Sequence, residues 1–109
     1  MPSVTYVYVL RLDPRLHADA AWSDADRAAV GRHFQYLSKA TETGQVLLAG
    51  RTSEPFEKTF GLVIFEAQTS EAAQAFMEAD PAILAGVMSA TLHPYSIALL
   101  RKQGTLPPG

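Results

Sequence analysis

Apolar positions follow two different periods along this chain, and the switches between them mark out its elements. Residues 4–10 are almost wholly β-branched and aromatic, which predicts a strand. Asp13-Pro14 ends it, because the residue before a proline is pushed away from helical geometry. The period then changes. Val30, His33, Phe34, Leu37 and Thr41 recur at three- and four-residue spacing, the signature of a helix. Ser23 or Asp24 can cap it, Asp24 and Asp26 lie near its positive end, and Gly44 is a natural stop. A second strand is predicted over 45–50, a polar connection containing Pro55 over 51–58, and a third strand over 59–66. In that strand Phe60, Leu62 and Ile64 share one face, and Gly61, Val63 and Phe65 the other. Thr69 or Ser70 caps a second helix over 71–79. Asp80 then caps a short helical turn with Pro81 at its first position, and Gly86 closes it. A fourth strand is predicted over 91–100, and residues 103–109 read as a loose tail after a single domain spanning 1–102.

The order strand, helix, strand, strand, helix, strand is the α+β, ferredoxin-like βαββαβ arrangement, a four-stranded antiparallel sheet with two helices on one face. Its first and third strands are central and its second and fourth lie at the edges. Pro94 suits an edge, since proline cannot donate to a ladder. Strands one and three are apolar on both faces, yet two helices cover only one. The uncovered face would expose Val7, Val9, Val63, Phe65 or their opposite-parity neighbours. A second copy packed sheet to sheet across a two-fold axis resolves this, so a homodimer is expected. An apolar ligand groove on a monomer, or a different protein partner, is the alternative.

Composition narrows the functional classes. The chain has 109 residues, 48% hydrophobic and 18% charged, with a net charge of −2. That balance suits a globular domain and gives no electrostatic footprint for nucleic acid or an anionic membrane. Without cysteine there are no disulfides, thiolate metal sites or cysteine nucleophiles. The first apolar run lacks a preceding basic region and is far shorter than the roughly 20 residues needed to span a bilayer. A cytoplasmic protein is expected by default.

Among candidate functional residues His33 stands out, because an imidazole on an apolar helix stripe can move protons near neutrality. The competing reading is a core histidine satisfied by backbone. Asp80 has an evident structural task as a cap, and a capping carboxylate can also orient an imidazole from another helix. Arg51 can receive an anionic group through its planar fork, although a solvated edge arginine is the ordinary reading. Tyr6, Tyr8 and Tyr95 can hydrogen-bond a ligand, and His93 can line a sheet face; packing and solvation compete with those roles. His17, His33 and His93 lack short ligand spacing, so no metal site is expected. No G-x-S-x-G elbow, G-x-G-x-x-G or P-loop is present.

Six segments in order carry a resemblance over most of the chain. They are Tyr6-Val7-Tyr8-Val9-Leu10, His33-Phe34-Gln35-Tyr36-Leu37, the stretch from Gly44 to Gly50, the stretch from Gly61 to Glu66, Ala79-Asp80-Pro81-Ala82, and His93-Pro94-Tyr95. The chain resembles the YciI (YCII-related) family. The resemblance implies a dimeric α+β barrel and makes His33 and Asp80 the family's active-site pair. One branch of that family is associated with dehydrochlorination of chlorinated hydroxyquinol-type aromatics, and fold neighbours include muconolactone isomerases. Gly50-Arg51 replaces the family's usual Gly-Pro, Pro94-Tyr95 replaces a late Pro-Trp or Pro-Phe, and the connection over 51–58 is long. These departures fall where a pocket rim belongs, so substrate identity does not carry over.

The expectation is a cofactor-free enzyme of small molecules doing elimination or isomerisation. His33 acts as base, Asp80 orients it, and Arg51, Tyr6, Tyr8 and His93 are the candidate substrate contacts. The alternative is a non-catalytic small-ligand binding or stress-associated module using the same cavity. A cofactor-free oxygenase is a weaker third, by fold analogy alone. Contact between His33 and Asp80, open to a cavity, is what separates the first reading from the second.

Overall fold

A computed structural model of the chain describes residues 3–101, and the expected loose tail, 103–109, lies outside them. Strand β1 (Val4–Leu12) leads through two short 3₁₀ turns, Pro14–Leu16 and Asp19–Ala21, into helix α1 (Asp24–Glu42). Strands β2 (Val46–Arg51) and β3 (Gly61–Ala67), helices α2 (Ser70–Glu78) and α3 (Pro81–Leu84), and strand β4 (Met88–Pro94) follow. The sheet order is β2-β3-β1-β4, all neighbours antiparallel, which is the α+β, ferredoxin-like βαββαβ topology.

Local chemistry accounts for the element ends. The Ser23 hydroxyl accepts from the Asp26 amide while the Asp26 carboxylate accepts from the Ser23 amide, a reciprocal capping box. The Arg15 guanidinium grips the same carboxylate through both terminal nitrogens, at 3.0 and 3.1 Å. Together these hold the Asp26 carboxyl well below the usual carboxylate range, the Arg15 hydrogen bond contributing most. Gly44 (φ 89°) turns the chain from α1 into β2, and Gly86 (φ 72°) turns it from α3 toward β4.

Tyr6, Tyr8 and Leu10 of β1 and Val63, Phe65 and Ala67 of β3 are buried in the main core, with Leu37 and Ala40 of α1 and Ala73 and Met77 of α2. The other face of the sheet carries Val7 and Val9 opposite Ile64 and Leu62, with Leu48 beside Ile64. The register thus corrects the expected grouping: Val63 and Phe65 lie under the helices, and it is Leu62 and Ile64 that share the uncovered face with Val7 and Val9. Leu48 is 60% exposed and Leu62 37% exposed there.

The fourth strand is the main departure. It runs Met88–Pro94 rather than over 91–100. Met88 pairs with Leu12 and Pro94 with Tyr6, which leaves only Val4 and Thr5 of β1 beyond the paired stretch. The Tyr95 amide donates once more to the Thr5 carbonyl, and the chain then leaves the sheet. Ile97, Leu99 and Leu100 look like strand residues in sequence but have no β1 residues left to pair with. Pro94 ends an edge strand, where its missing donor costs nothing. Among the described residues no helix is long and apolar enough to cross a membrane.

Candidate functional site

Helix α1 carries His33 on the side that meets α3, and there the imidazole finds the Asp80 carboxylate. His33 Nδ1 lies 2.7 Å from Asp80 Oδ1 and 2.9 Å from Oδ2. Asp80 is the N-cap of α3 and is fully buried. Its Oδ1 also accepts from the Ala82 amide at 2.9 Å, and its Oδ2 from the Tyr8 hydroxyl at 2.8 Å. Three donors from α1, α3 and β1 therefore converge on one carboxylate.

This arrangement assigns the protons. Burial, reinforced by the neighbouring Asp80 charge, drives the Tyr8 hydroxyl far above its ordinary titration range, so Tyr8 is a permanent donor. The Ala82 amide can only donate. The carboxylate is thus an acceptor on every side, and a neutral His33 keeps its proton on Nδ1, leaving a lone pair on Nε2. Nε2 has no protein partner. Every buried side-chain nitrogen and oxygen among the described residues does have one, so Nε2 is not sealed in the core. The ring lies in the wall of a cavity of about 840 Å³ between α1 and β2, to which Asp80 does not contribute. Asp80 thus supports the imidazole from behind.

The cavity wall is mostly apolar: Val30, Phe34 and Leu37 from α1, Leu47 and Ala49 from β2, and Trp22 and Phe56 from the loops. Trp22 and Phe56 pack on each other with ring centroids 5.8 Å apart, and the indole Nε1 donates to the Leu16 carbonyl. The loop bearing Phe56 is pinned at its base, where the Thr59 hydroxyl donates to the Thr52 carbonyl at 2.7 Å and the Thr52 amide to the Phe60 carbonyl.

The residues singled out in the sequence separate cleanly. His33 and Asp80 meet. Arg51 borders the cavity and has no ion-pair partner among the described residues. Tyr6, Tyr8 and His93 do not line it. Tyr6 and Tyr8 sit under the helices against Phe65, and the Tyr8 hydroxyl is taken up by Asp80. His93 pairs with Val7 on the uncovered face of β4, its Nε2 3.1 Å from the Thr91 hydroxyl. Tyr36 is half-buried, stacks on Phe76 and donates to its carbonyl. The Trp22–Phe56 contact was missed. Two aromatics in separate loops carry no periodicity that could have revealed it.

The fold and the buried carboxylate behind an accessible imidazole define a class: small ferredoxin-like proteins with a histidine–aspartate pair on a cavity wall. More specifically, the chain belongs to the YCII-related family, whose domain matches residues 6–92. Among solved structures it is similar to 5-chloro-2-hydroxyhydroquinone dehydrochlorinase (TftG) from Burkholderia phenoliruptrix AC1100, determined in complex with 2,5-dihydroxybenzoquinone. That likeness has 14% identity and a TM-score of 0.57, covering 84% of this chain and 93% of the other. At such identity it speaks for the fold. No curated protein matches the sequence.

Proposed function

We propose that this protein is a cytoplasmic, cofactor-free enzyme that moves a proton on a small carbonyl or ring compound, in an elimination or an isomerisation. The observation that supports this reading best is the His33–Asp80 pair with Nε2 left accessible in the cavity wall. His33 Nε2 takes a proton from a carbon or hydroxyl acidified by a neighbouring carbonyl or ring. Asp80 holds the imidazole in the Nδ1–H tautomer and stabilises the imidazolium that forms. In an isomerisation the imidazolium returns the proton to another carbon. In an elimination the electron pair expels a leaving group and the proton later passes to water. A binding module needs only the shape and the apolar wall, and has no use for an accessible imidazole held in one tautomer.

The working unit in this proposal is a homodimer joined through the sheet face opposite the helices, where Leu48 and Leu62 are exposed and Val9 and Ile64 half-buried around the buried Val7. Small-molecule binding by TftG is consistent with a small-molecule ligand here. His33→Ala provides the test. Positioned acid–base catalysis contributes roughly 10²–10⁴-fold, so turnover of the true substrate should fall by that factor while the fold and the dimer persist. Undiminished turnover by the variant refutes the assignment.

A further inference from the structure

Resting on the reading above, we infer that the substrate is an amphipathic carboxylate longer than one ring, with its anionic head at Arg51 beside His33 and its apolar body laid along α1. The shape of the cavity is the starting point. Val30, His33, Phe34, Leu37, Thr41 and Glu42 all line it, which is one face of α1 over more than three turns. The twelve steps from Val30 to Glu42, at 1.5 Å each, make that wall about 18 Å long. A single six-membered ring covers well under half of that length. The volume of about 840 Å³ falls in the range that ordinarily accepts drug-sized ligands rather than one small ring.

The polar groups are not spread evenly along this groove. β2 returns antiparallel to α1 after the turn at Gly44, so Val46 lies beside the C-terminal end of the helix. Arg51 is five residues further, but the bulge at Leu47 sets that stretch against only four steps of β3, Phe65 to Gly61, so it lies about 13 Å along the strand. The same distance back along α1 from Glu42 reaches His33 itself. Arg51 and His33 therefore share one end of the groove, with Trp22 and Phe56, and Glu42 stands at the other. Between the ends the wall is Leu37, Ser38, Thr41 and Leu47. Leu47 is the extra residue of a β-bulge, between the Val46–Phe65 and Leu48–Ile64 pairs, a device that re-aims a side chain. An unpartnered guanidinium is suited to a carboxylate, which it grips bidentately. Leu37 and Leu47 suit a second ring or a chain, with the Ser38 and Thr41 hydroxyls beside it.

Trp22 is the protein's one tryptophan and sits in the cavity wall at the Arg51 end, so its fluorescence reports on occupancy directly. The probes are benzoate, biphenyl-4-carboxylate and the uncharged biphenyl-4-carboxamide, titrated against the wild-type protein and three variants. Biphenyl-4-carboxylate should bind at least tenfold more tightly than benzoate, about 1.4 kcal/mol. Arg51→Ala should weaken it at least tenfold and leave the carboxamide unchanged. Leu47→Asp should weaken biphenyl-4-carboxylate and spare benzoate. Equal affinity for the two acids, no binding of either, or indifference to Arg51→Ala overturns the inference. His33→Ala separates the two levels: binding retained with turnover lost supports both, whereas a single-ring substrate turned over through His33 without binding of the longer acid sinks only this one.

Discussion

Truncating the buried carboxylate, Asp80→Ala, should damage the fold as well as the site, and by an amount the structure sets. The substitution strands two donors. The Tyr8 hydroxyl is fully buried and its acceptor is Asp80. Leaving such a group unpaired costs about 1–3 kcal/mol. The Ala82 amide loses its cap, worth about 1 kcal/mol. The third donor, His33, is not sealed in the core, so water can replace its partner at little cost. Removal of a buried charge recovers some desolvation energy. The expected loss is about 2–4 kcal/mol, which in a domain near 100 residues lowers Tm by roughly 10–20 °C. Thermal unfolding followed by circular dichroism, at one fixed protomer concentration, measures it. The decisive comparison is a double-mutant cycle with Tyr8→Phe. With the hydroxyl already gone, Asp80→Ala no longer strands it, so its cost should drop by about 1–3 kcal/mol. A strictly additive cycle, or an Asp80→Ala protein within about 0.5 kcal/mol of wild type, would show that the carboxylate does not hold the three elements together.

Other expectations are more direct. Asp26 has a folded-state titration point below its unfolded value near 3.9, so its stabilising effect is complete above that value and is lost as pH falls through the acid range. Asp26→Asn should therefore flatten the acid limb of the stability curve, and an unchanged limb in acid titration by circular dichroism would disprove the Arg15–Asp26 contribution. Ile64→Asp, on the uncovered sheet face, should give a folded monomer by analytical ultracentrifugation where wild type sediments as a dimer. A monomeric wild type at the highest concentration reached removes the sheet-to-sheet proposal. Neutral His33 should show the Nδ1–H tautomer in ¹⁵N-correlated NMR spectra, and a predominant Nε2–H form would mean that Asp80 does not hold the ring as the hydrogen bonds indicate.

Most of the fold was legible because short-range rules dictated it. Strand composition, Ser23 and Thr69 as caps and the glycine after α1 each act within a few residues, and the element order they give has one familiar topology. What sequence left open was decided by cross-strand register. Parity shows that Val7 and Val9 share a face, but only pairing with β3 shows that Leu62 and Ile64, not Val63 and Phe65, join them. The fourth strand was misplaced for the same reason. Its end is set by the pairing with β1, which stops at Pro94 opposite Tyr6, not by the apolar residues that follow. In the site, the helical period and the cap motif exposed His33 and Asp80, while the resemblance supplied their pairing. Tyr8 was visible as a strand tyrosine, but its attachment to a residue 72 positions away was not.

Asp80 and His33 differ in what the fold asks of them, and that difference bears on function. A carboxylate at position 80 is needed by the α3 cap and by Tyr8 whether or not any reaction occurs. No comparable structural demand falls on position 33. It lies between Val30 and Leu37 on a stripe where an aliphatic side chain would extend the apolar wall, and the imidazole contributes one hydrogen bond to a carboxylate that already has two donors. His33→Leu should accordingly shift Tm far less than Asp80→Ala, because it strands no buried donor. If the pair were only a structural clasp, the two substitutions would destabilise alike. Comparable losses would return His33 to the core and favour a binding module; a small loss at 33 beside a large one at 80 leaves proton transfer as the task for which the imidazole is suited.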